Sequence, residues 1–461
     1  MACFYVCYIG RTMDAQPPAA LRHRVFNLAW PVITENFLQT MLGIVDTLLV
    51  ARLGAEALAG VGAAIQIMFF VISALSATSV GANVLVAQAF GGHAIADASR
   101  YAKQALAWSV IISIPLAIAG FYGSSFMVGV FGMEPEVTEV GANYLRVTMG
   151  TVVVLSLMFL GSGVMRGAGN SRTPMLVVAI ANVINIFLTY GLIFGEFGLP
   201  ELGAVGSAWA TFISRVIGFS ILLVALYRGV NGVSIRGWSD WFPRLRLADR
   251  ILQIGIPAGL EQMLISTGFL TMTIFVARIS TLTLAAHRIA FNALSVSFLP
   301  GIGFGVAATA LVGQTIGAQA LDEADTVASI ATRWSVAWMS ALGIVFFVFA
   351  DQIMGFYTDD PVVIAIGAAG LRPLALTQPF WAVLFVQSGA LRGTGDTRYP
   401  LRVNTIGIWV AVLLGGVTAL SFGGALTTIW SAFLVTAPVT AFLLWRRFQR
   451  TIHKEHLAAV Y

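Results

Sequence analysis

Carboxylates and amides inside long apolar segments are the residues of this sequence whose chemistry stands out. Glu35 and Asp46 lie in the first apolar segment, and Glu261 lies in the seventh. Eleven residues separate Glu35 from Asp46, close to three helical turns, so a helix places both on one face with Gln39 between them. This spacing predicts a polar stripe about 16 Å long. Ionisable groups within membrane segments are costly and mark ion or substrate pathways.

The fifth apolar segment carries a matching polar stripe. Asn182, Asn185 and Thr189 follow the i, i+3, i+7 spacing of one helical face, at a depth similar to that of Asp46, so we expect the two stripes to meet. Desolvation disfavours the charged form of a carboxylate, which makes Asp46 a candidate for taking up a coupling proton. The same oxygens can alternatively ligate sodium if waters complete the shell. No cationic side chain is assigned beside Asp46.

The predicted substrate pathway comprises five polar side chains of the first, seventh and tenth segments: Glu35, Gln39, Glu261, Gln262 and Gln378. Glu35 and Glu261 each follow a proline by four residues, which leaves two alternatives open. They attract cations near one mouth of a cleft, or they only satisfy backbone groups around the proline. Arg215 is interpreted as a structural charge with a partner, and His287 as an interfacial residue.

The composition of the chain predicts which kind of secondary structure positions these side chains. Charged residues make up 10% of the 461 residues and hydrophobic ones 58%, whereas a soluble domain carries about 25% charged residues. A chain with so little polar surface must be solvated by lipid, where only helices and closed barrels satisfy the backbone. Its long apolar runs do not alternate, which indicates helices. Twelve spans are predicted, near residues 25–51, 58–85, 103–127, 141–165, 173–195, 204–227, 250–276, 284–313, 330–350, 363–390, 400–422 and 425–445.

Lysine and arginine are unevenly distributed over the connections between these spans. Most of the 26 fall on one side, together with both termini, whereas acidic clusters such as Asp359 and Asp360 fall on the other. Cytoplasmic loops are enriched in these residues, so we expect both termini in the cytoplasm and a multi-pass protein of the cell membrane. The bias accounts for the net charge of +5 without a nucleic-acid partner.

An internal repeat relates the two halves of the sequence. A shift of 226 residues places Pro31 on Pro257, Glu35 on Glu261 and a longer block around Arg166 on the block around Arg392. Six spans per half is an even number, so both halves have one orientation, with an axis along the membrane normal and a cavity between two lobes near the midplane. The predicted divisions are an N-terminal tail, an N-lobe, a linker, a C-lobe and a C-terminal tail at 1–23, 24–227, 228–249, 250–450 and 451–461.

The polar cluster exists in only one of the two repeats. The shift places apolar residues opposite Asp46, Asn182, Asn185 and Thr189, namely Met272, Ile408, Ala411 and Gly415. Features that the repeats share are those of a scaffold, whereas an acid present in one repeat alone points to function. This asymmetry makes Asp46 the main candidate for coupling.

Signatures of enzymes do not occur in the sequence. There is no nucleophile elbow, no HExxH, no Walker A loop and no cysteine-based metal site, and the two cysteines, Cys3 and Cys7, both precede the first span. We therefore expect no enzymatic activity and no cofactor. Without a nucleotide-binding domain, any pumping must draw on a gradient of protons or sodium.

Short motifs along nearly the whole chain resemble the multidrug and toxic compound extrusion (MATE) transporters. They are Pro31 with Val45-Asp46-Thr47, Val86-Ala87-Gln88-Ala89-Phe90-Gly91, Arg166-Gly167-Ala168-Gly169-Asn170, Gly203-Ala204-Val205-Gly206-Ser207-Ala208 and Leu391-Arg392-Gly393-Thr394-Gly395-Asp396. The resemblance implies two six-helix lobes in a V, alternating access, and export of organic cations against entering protons or sodium. Asp46 matches the acid that family members carry in the first helix.

The sequence departs from the family pattern in two places. Many prokaryotic members have an aspartate in the fifth span where this chain has Thr189, and some have an acid pair where it has Ile265 and Trp381.

From the sequence as a whole we expect an all-α, twelve-span antiporter that works as a monomer in the lipid bilayer and exports organic cations. Two alternatives stay open, a lipid-linked saccharide flippase of the same superfamily and a channel or sensory membrane protein.

Overall fold

The computed structural model describes residues 17–421 and 423–460, which form fifteen helices. The predictions about Cys3 and Cys7 lie outside the described residues. We call the first seven helices the N-lobe: α1 (Pro18–Ala51), α2 (Ala55–Gly91), α3 (Ile95–Gly129), α4 (Pro135–Gly150), α5 (Val152–Gly167), α6 (Arg172–Phe194) and α7 (Ala204–Arg228).

The remaining eight helices form the C-lobe. They are α8 (Leu245–Ile279), α9 (Thr281–Gly317), α10 (Leu321–Val348), α11 (Ala350–Gly355), α12 (Pro361–Gly393), α13 (Arg398–Ser421), α14 (Leu426–Ser431) and α15 (Phe433–Val460). Prolines lie inside several of these helices, and α12 contains two, Pro373 and Pro379.

The all-helical membrane architecture is confirmed, although the count of spans differs from the predicted twelve. Within the described residues, ten helical segments are long and apolar enough to cross a membrane, and α4 with α5, bent by 51°, adds an eleventh. The helix that falls short is α1, whose 34 residues exceed the roughly 20 that a span needs. Its polar stripe lowers its apolarity below that of the others. The chain is therefore a multi-pass membrane protein.

The two lobes pack together at one end, which we call the closed end. There α2 lies against α8 and α9, and α1 lies against α9. Gly91 touches the backbone of Gln314, and Gly317 touches the backbone of Gln88 in the same way, so a Cβ at either glycine would overlap the opposite helix. These two contacts are related by the 226-residue repeat, so the pseudo-symmetry axis passes through this junction.

Two glutamine amides bridge the lobes at the closed end. The Nε2 atom of Gln88 donates to the carbonyl oxygen of Gly393 at 2.9 Å, and that of Gln314 donates to the carbonyl oxygen of Gly167 at 2.9 Å. The repeat also relates these two bonds. We call these four residues the glutamine latch.

The first helix of each lobe begins on the opposite lobe. In α1, Leu21, Val25 and Leu28 belong to the apolar cluster that forms the core of the C-lobe. In α8, Ile251 belongs to a cluster of the N-lobe. At the other end of the N-lobe, the buried cluster that contains Val50 includes no described residue of the C-lobe. The lobes therefore diverge from the closed end towards an open end, where α1 and α8 finish.

The connection between the lobes is fixed to the N-lobe. The Nζ atom of Lys103 donates to the carbonyl oxygens of Arg236, Gly237 and Ser239 at 2.6, 3.3 and 3.0 Å. Gln104 donates to the carbonyl oxygens of Asp240 and Phe242 at 2.6 and 2.8 Å. Because an ammonium group has three donors, Lys103 is fully satisfied by this segment.

Candidate functional site

A cavity of about 320 Å³ with polar side chains on part of its wall lies inside the N-lobe. Side chains of α1, α2 and α4 to α7 line it, and all of them fall between Glu35 and Arg215. The sequence predicted a cavity between the two lobes, whereas this cavity, which contains the candidate residues, lies within one lobe. The polar stripes of α1 and α6 face each other within one lobe, and the space between them has the size of a ligand pocket.

Asp46 stands in a hydrogen-bond network that joins α1 to α6 and α7. The hydroxyl of Thr189 donates to Oδ1 of Asp46 at 3.4 Å. With the amide of Asn185 in the orientation that satisfies all its neighbours, its nitrogen donates to Asp46 at 3.3 Å and its oxygen accepts from Thr211 and Ser214. The predicted meeting of the two stripes thus corresponds to direct contacts.

Asn182, the other amide of the α6 stripe, makes a different contact. It lines the cavity, but its amide donates to the backbone oxygen of Leu38 at 2.8 Å and has no hydrogen bond to Asp46 within the described residues. Asn182 therefore holds α6 against α1, while Asn185 and Thr189 contact the acid.

Glu35 and Glu261 form two ion pairs related by the repeat. Glu35 lines the cavity and accepts from Arg166 at 3.0 Å. Glu261, 1% exposed, accepts from Arg392 at 2.8 Å and from Asn404 at 2.6 Å. Each acid is neutralised within its own lobe, which favours the structural alternative over the attraction of cations.

The five residues of the predicted substrate pathway do not share one site. Glu35 and Gln39 line the N-lobe cavity, whereas the other three lie in the C-lobe and do not. Gln262 is exposed on α8. Gln378 is fully buried in α12 and accepts a hydrogen bond from Ser297 at 2.8 Å. Here the amide stabilises the proline-containing helix and faces no described cavity.

Two cavity residues, Arg215 and Tyr144, were not predicted as site residues. Arg215 lines the same cavity as Asp46, and the two charges interact electrostatically. The expectation that no cation lies near Asp46 is therefore wrong. The expected partner of Arg215 is Asp46 through this electrostatic interaction, although no hydrogen bond or ion pair joins the two within the described residues. Thr211, Ser214 and Arg215 follow helical spacing on α7 and form a third polar stripe. This spacing is the sequence feature from which Arg215 could have been predicted as a site residue.

The corresponding space in the C-lobe is filled by aromatic side chains. The repeat places Phe269 where the N-lobe has Gly43, and Trp381 where it has Leu155. The rings of Phe269, Phe298, Phe385 and Phe433 surround Trp381 at centroid distances of 6.4, 5.6, 5.8 and 5.9 Å. Only about 20 Å³ of cavity remains.

His287 belongs to the same filled region and was predicted to be interfacial. It is 3% exposed and packs edge-on against Trp430. That prediction is wrong because α9 begins against α14 and α8 and not at the lipid surface.

Two pseudo-symmetric helical lobes, packed together at one end and with a chamber inside one of them, are the architecture of a membrane transporter. The MatE family model matches residues 31–191 and 257–418, one match in each lobe. The chain belongs to the MATE family of transporters.

Several relatives and solved structures support this assignment. A probable multidrug resistance protein NorM of Thermotoga maritima is 34% identical over 405 residues, which cover 85% of this chain and 84% of the relative. A protein of the same description from Burkholderia mallei is 33% identical over 452 residues, covering 95% of each. A crystal structure of a MATE transporter in complex with MaL6 superposes with a TM-score of 0.88 at 20% identity, covering 96% of this chain and 98% of the other. A multidrug resistance MATE transporter of the MOP superfamily in an outward-facing conformation gives 0.87 at 20% identity over 94% and 96%.

Proposed function

We propose that this protein is an antiporter that exports organic compounds from the cell in exchange for entering protons or sodium ions, and that Asp46 couples the two fluxes. The observation that carries the proposal is the network of Asp46, Thr189 and Asn185 in the wall of the N-lobe cavity. The names of the relatives, which describe multidrug resistance proteins, support organic compounds as the cargo.

The orientation of the lobes supports the direction of transport. The lysine and arginine bias assigns the closed end to the cytoplasm, because both ends of the described chain lie there. Arg24 contacts Gln314 and Arg447 contacts Asp396 at this end. The conformation described here is then open to the outside, the state in which cargo leaves and the coupling ion enters. The protein works as a monomer in the cell membrane in this proposal.

Protonation of Asp46 provides the switch. The ionised carboxylate accepts hydrogen bonds from Thr189 and Asn185, whereas the protonated carboxyl gains a donor, which the Thr189 hydroxyl can accept by rotating. The loss of one charge lets α1 and α6 repack, which weakens binding of cargo held by that charge. Return to the inward-open state then requires the closed end to separate and the glutamine latch to break.

Sodium is the alternative coupling ion at the same residues. Oxygens of Asp46, Asn185 and Thr189 are of the hard type that sodium prefers, and waters must complete the shell. Transport by proteoliposomes under a pH gradient alone and a sodium gradient alone separates the two cases.

The alternative functions are less well supported. A flippase for lipid-linked pyrophosphates requires a strongly cationic cavity, whereas this one is lined by Arg215 together with Glu35 and Asp46. A channel requires a continuous polar path, whereas the lobes pack tightly at the closed end.

The decisive variant is Asp46→Asn, which keeps the shape of the side chain and removes its charge. We expect gradient-driven export of a fluorescent organic compound from proteoliposomes to be lost while the protein stays monodisperse. Asp249→Asn, at an exposed position of α8, is the control and should export at the parent rate. Uphill export by Asp46→Asn at the parent rate refutes the proposal.

A further inference from the structure

The chain between the two lobes exposes large apolar side chains. We call residues 228–250 the interlobe segment. Trp238, Phe242 and Leu245 are 96%, 85% and 76% exposed. The backbone around them is nevertheless held firmly, because carbonyl groups of this stretch accept hydrogen bonds from the buried side chains of Lys103 and Gln104. The carbonyl groups therefore face the N-lobe while the large apolar side chains lie outside it. Exposed apolar groups rimmed by polar ones mark contacts with a protein or a membrane.

Arginines surround these apolar side chains. The interlobe segment contains five arginines and two aspartates and has neither lysine nor glutamate. The charged residues are Arg228, Arg236, Asp240, Arg244, Arg246, Asp249 and Arg250. Five positive and two negative charges give the segment a net formal charge of +3. Asp240 is already engaged, since it pairs with Arg244 at 3.0 Å and with Arg100 of α3 at 3.3 Å.

Three of the arginines have donors without an acceptor in the described part of the chain. Arg228 and Arg246 are exposed and make no hydrogen bond or ion pair with a described residue. Arg236 donates from Nε to the carbonyl oxygen of Tyr227 at 2.8 Å and lies over the ring of Tyr227, 5.7 Å from its centroid. This contact orients the guanidinium and leaves its two terminal nitrogens available. The planar fork of such nitrogens matches the oxygens of a phosphate.

The location of the interlobe segment favours a membrane surface as its partner. Asn231 donates to the carbonyl oxygen of Ala168 at 2.8 Å, next to the glutamine latch, so the segment lies at the closed end. In the proposed orientation this end faces the cytoplasm. The cytoplasmic leaflet contains anionic lipids that attract basic residues beside a membrane span. Tryptophan is enriched at the level of the headgroups, where its ring contacts both the apolar layer and water.

We propose that the interlobe segment binds anionic phospholipids of the cytoplasmic leaflet. The headgroup phosphates contact Arg228, Arg236 and Arg246. The rings of Trp238 and Phe242 enter the interfacial layer beside them. The inference rests on the proposed orientation of the chain and is independent of the cargo and of the coupling ion. It makes the connection between the lobes an attachment of the N-lobe to the bilayer surface.

Native mass spectrometry of the full chain in a neutral detergent tests this lipid site. Dioleoyl phosphatidylglycerol is the anionic probe, and dioleoyl phosphatidylcholine is the zwitterionic probe with the same acyl chains. Each arginine near an anionic surface contributes about 5-fold in affinity. The parent should therefore bind the first phosphatidylglycerol at least about 25-fold more tightly than the first phosphatidylcholine.

Two double variants separate the contribution of charge from that of the apolar side chains. Arg228→Gln with Arg246→Gln should weaken binding of phosphatidylglycerol by about 25-fold and leave binding of phosphatidylcholine unchanged. Trp238→Ala with Phe242→Ala should weaken binding of both lipids by the same factor and keep the preference. Size-exclusion profiles establish that each variant is folded.

A matched control removes two arginines at the opposite end of the molecule. Arg52 and Arg278 are exposed where α1 and α8 finish at the open end, and Arg52→Gln with Arg278→Gln should bind both lipids like the parent. The orientation is tested separately with Trp238→Cys in a chain whose Cys3 and Cys7 are serine. A membrane-impermeant maleimide should label this cysteine in inverted vesicles and not in intact cells.

Four outcomes overturn the inference. The first is equal binding of the two lipids by the parent, and the second is unchanged binding of phosphatidylglycerol by the Arg228→Gln, Arg246→Gln variant. The third is displacement of the lipid by millimolar inorganic phosphate, which would assign a site for free phosphate. The fourth is a dimer of the parent that Trp238→Ala dissociates, which would assign the surface to a second copy of the chain.

Discussion

Replacing Gln88 and Gln314 with alanine tests whether the glutamine latch holds the closed end. Gln88→Ala removes one hydrogen bond of 2.9 Å between the lobes, and Gln314→Ala removes one of 2.9 Å together with the longer bond from Arg24 at 3.4 Å. Such a bond contributes about 0.5–1.5 kcal/mol, and the bond of the buried Gln314 should lie at the upper end because it leaves the carbonyl of Gly167 unsatisfied. The double variant should therefore destabilise the closed end by about 2 kcal/mol, which is a shift of about 30-fold in the equilibrium between the two conformations.

Distances between spin labels at the open end report this equilibrium. Arg52 and Arg278 are exposed at the ends of α1 and α8, are related by the repeat and can be replaced by cysteine. Cys3 and Cys7 must first be changed to serine. When the closed end separates, the open ends approach, so the double variant should show a larger population at short distance by pulsed electron paramagnetic resonance.

The two single variants should shift the label distances to different extents. We expect Gln314→Ala to shift the distribution more than Gln88→Ala, and the two shifts to add in free energy. Gln253→Ala removes an exposed amide that bonds within α8 to Asp249 and should leave the distances unchanged. A double variant that remains folded with the distance distribution of the parent contradicts the assigned role of the latch.

Three further predictions follow from contacts described above. Gly317→Ala places a Cβ against the backbone of the opposite lobe and should shift the label distances in the same direction, whereas Gly129→Ala meets open space and should not. Glu261→Gln leaves its half-buried arginine partner without a counter-charge and should lower the free energy of unfolding by about 3 kcal/mol, seen as a lower melting temperature. Lys103→Met removes three carbonyl contacts, so limited proteolysis should cut residues 229–244 faster than in the parent. An unchanged melting temperature or cleavage rate would contradict the respective assignment.

The architecture was predictable because it depends on features that act along the whole chain. Long apolar runs indicated membrane helices, and the 226-residue shift related Glu35 to Glu261 and Arg166 to Arg392. The same alignment already contained the four residues that form the two ion pairs. Spacing along the sequence does not show, however, which of these side chains reach each other. The pairing therefore appeared only in the structure, where Arg166 of α5 reaches Glu35 of α1 and Arg392 of α12 reaches Glu261 of α8.

The candidate site was predictable in part for the same reason. Helical periodicity placed Asp46 opposite Thr189 and Asn185, and these residues do contact each other. The position of the cavity within one lobe depends on side-chain volume in three dimensions, which periodicity does not describe. Arg215 was assigned a partner because a charge in a membrane helix normally has one, and only the packed structure identifies that group as Asp46, another residue of the cavity lining.

The hollow N-lobe and the filled C-lobe should not resist heat equally. Truncating a buried aromatic residue lowers the free energy of unfolding by about 3–5 kcal/mol. The C-lobe packs Phe269 and Trp381 where the N-lobe has Gly43 and Leu155, so the C-lobe should be the more stable of the two. Local opening begins where packing is poorest, which places the earliest amide exchange in the helices around the chamber. Of the two lobes that the repeat relates, the one that contains the chamber should thus be the less stable. Bound cargo fills that chamber and stabilises the lobe that binds it, so the protein should have its highest melting temperature with cargo bound.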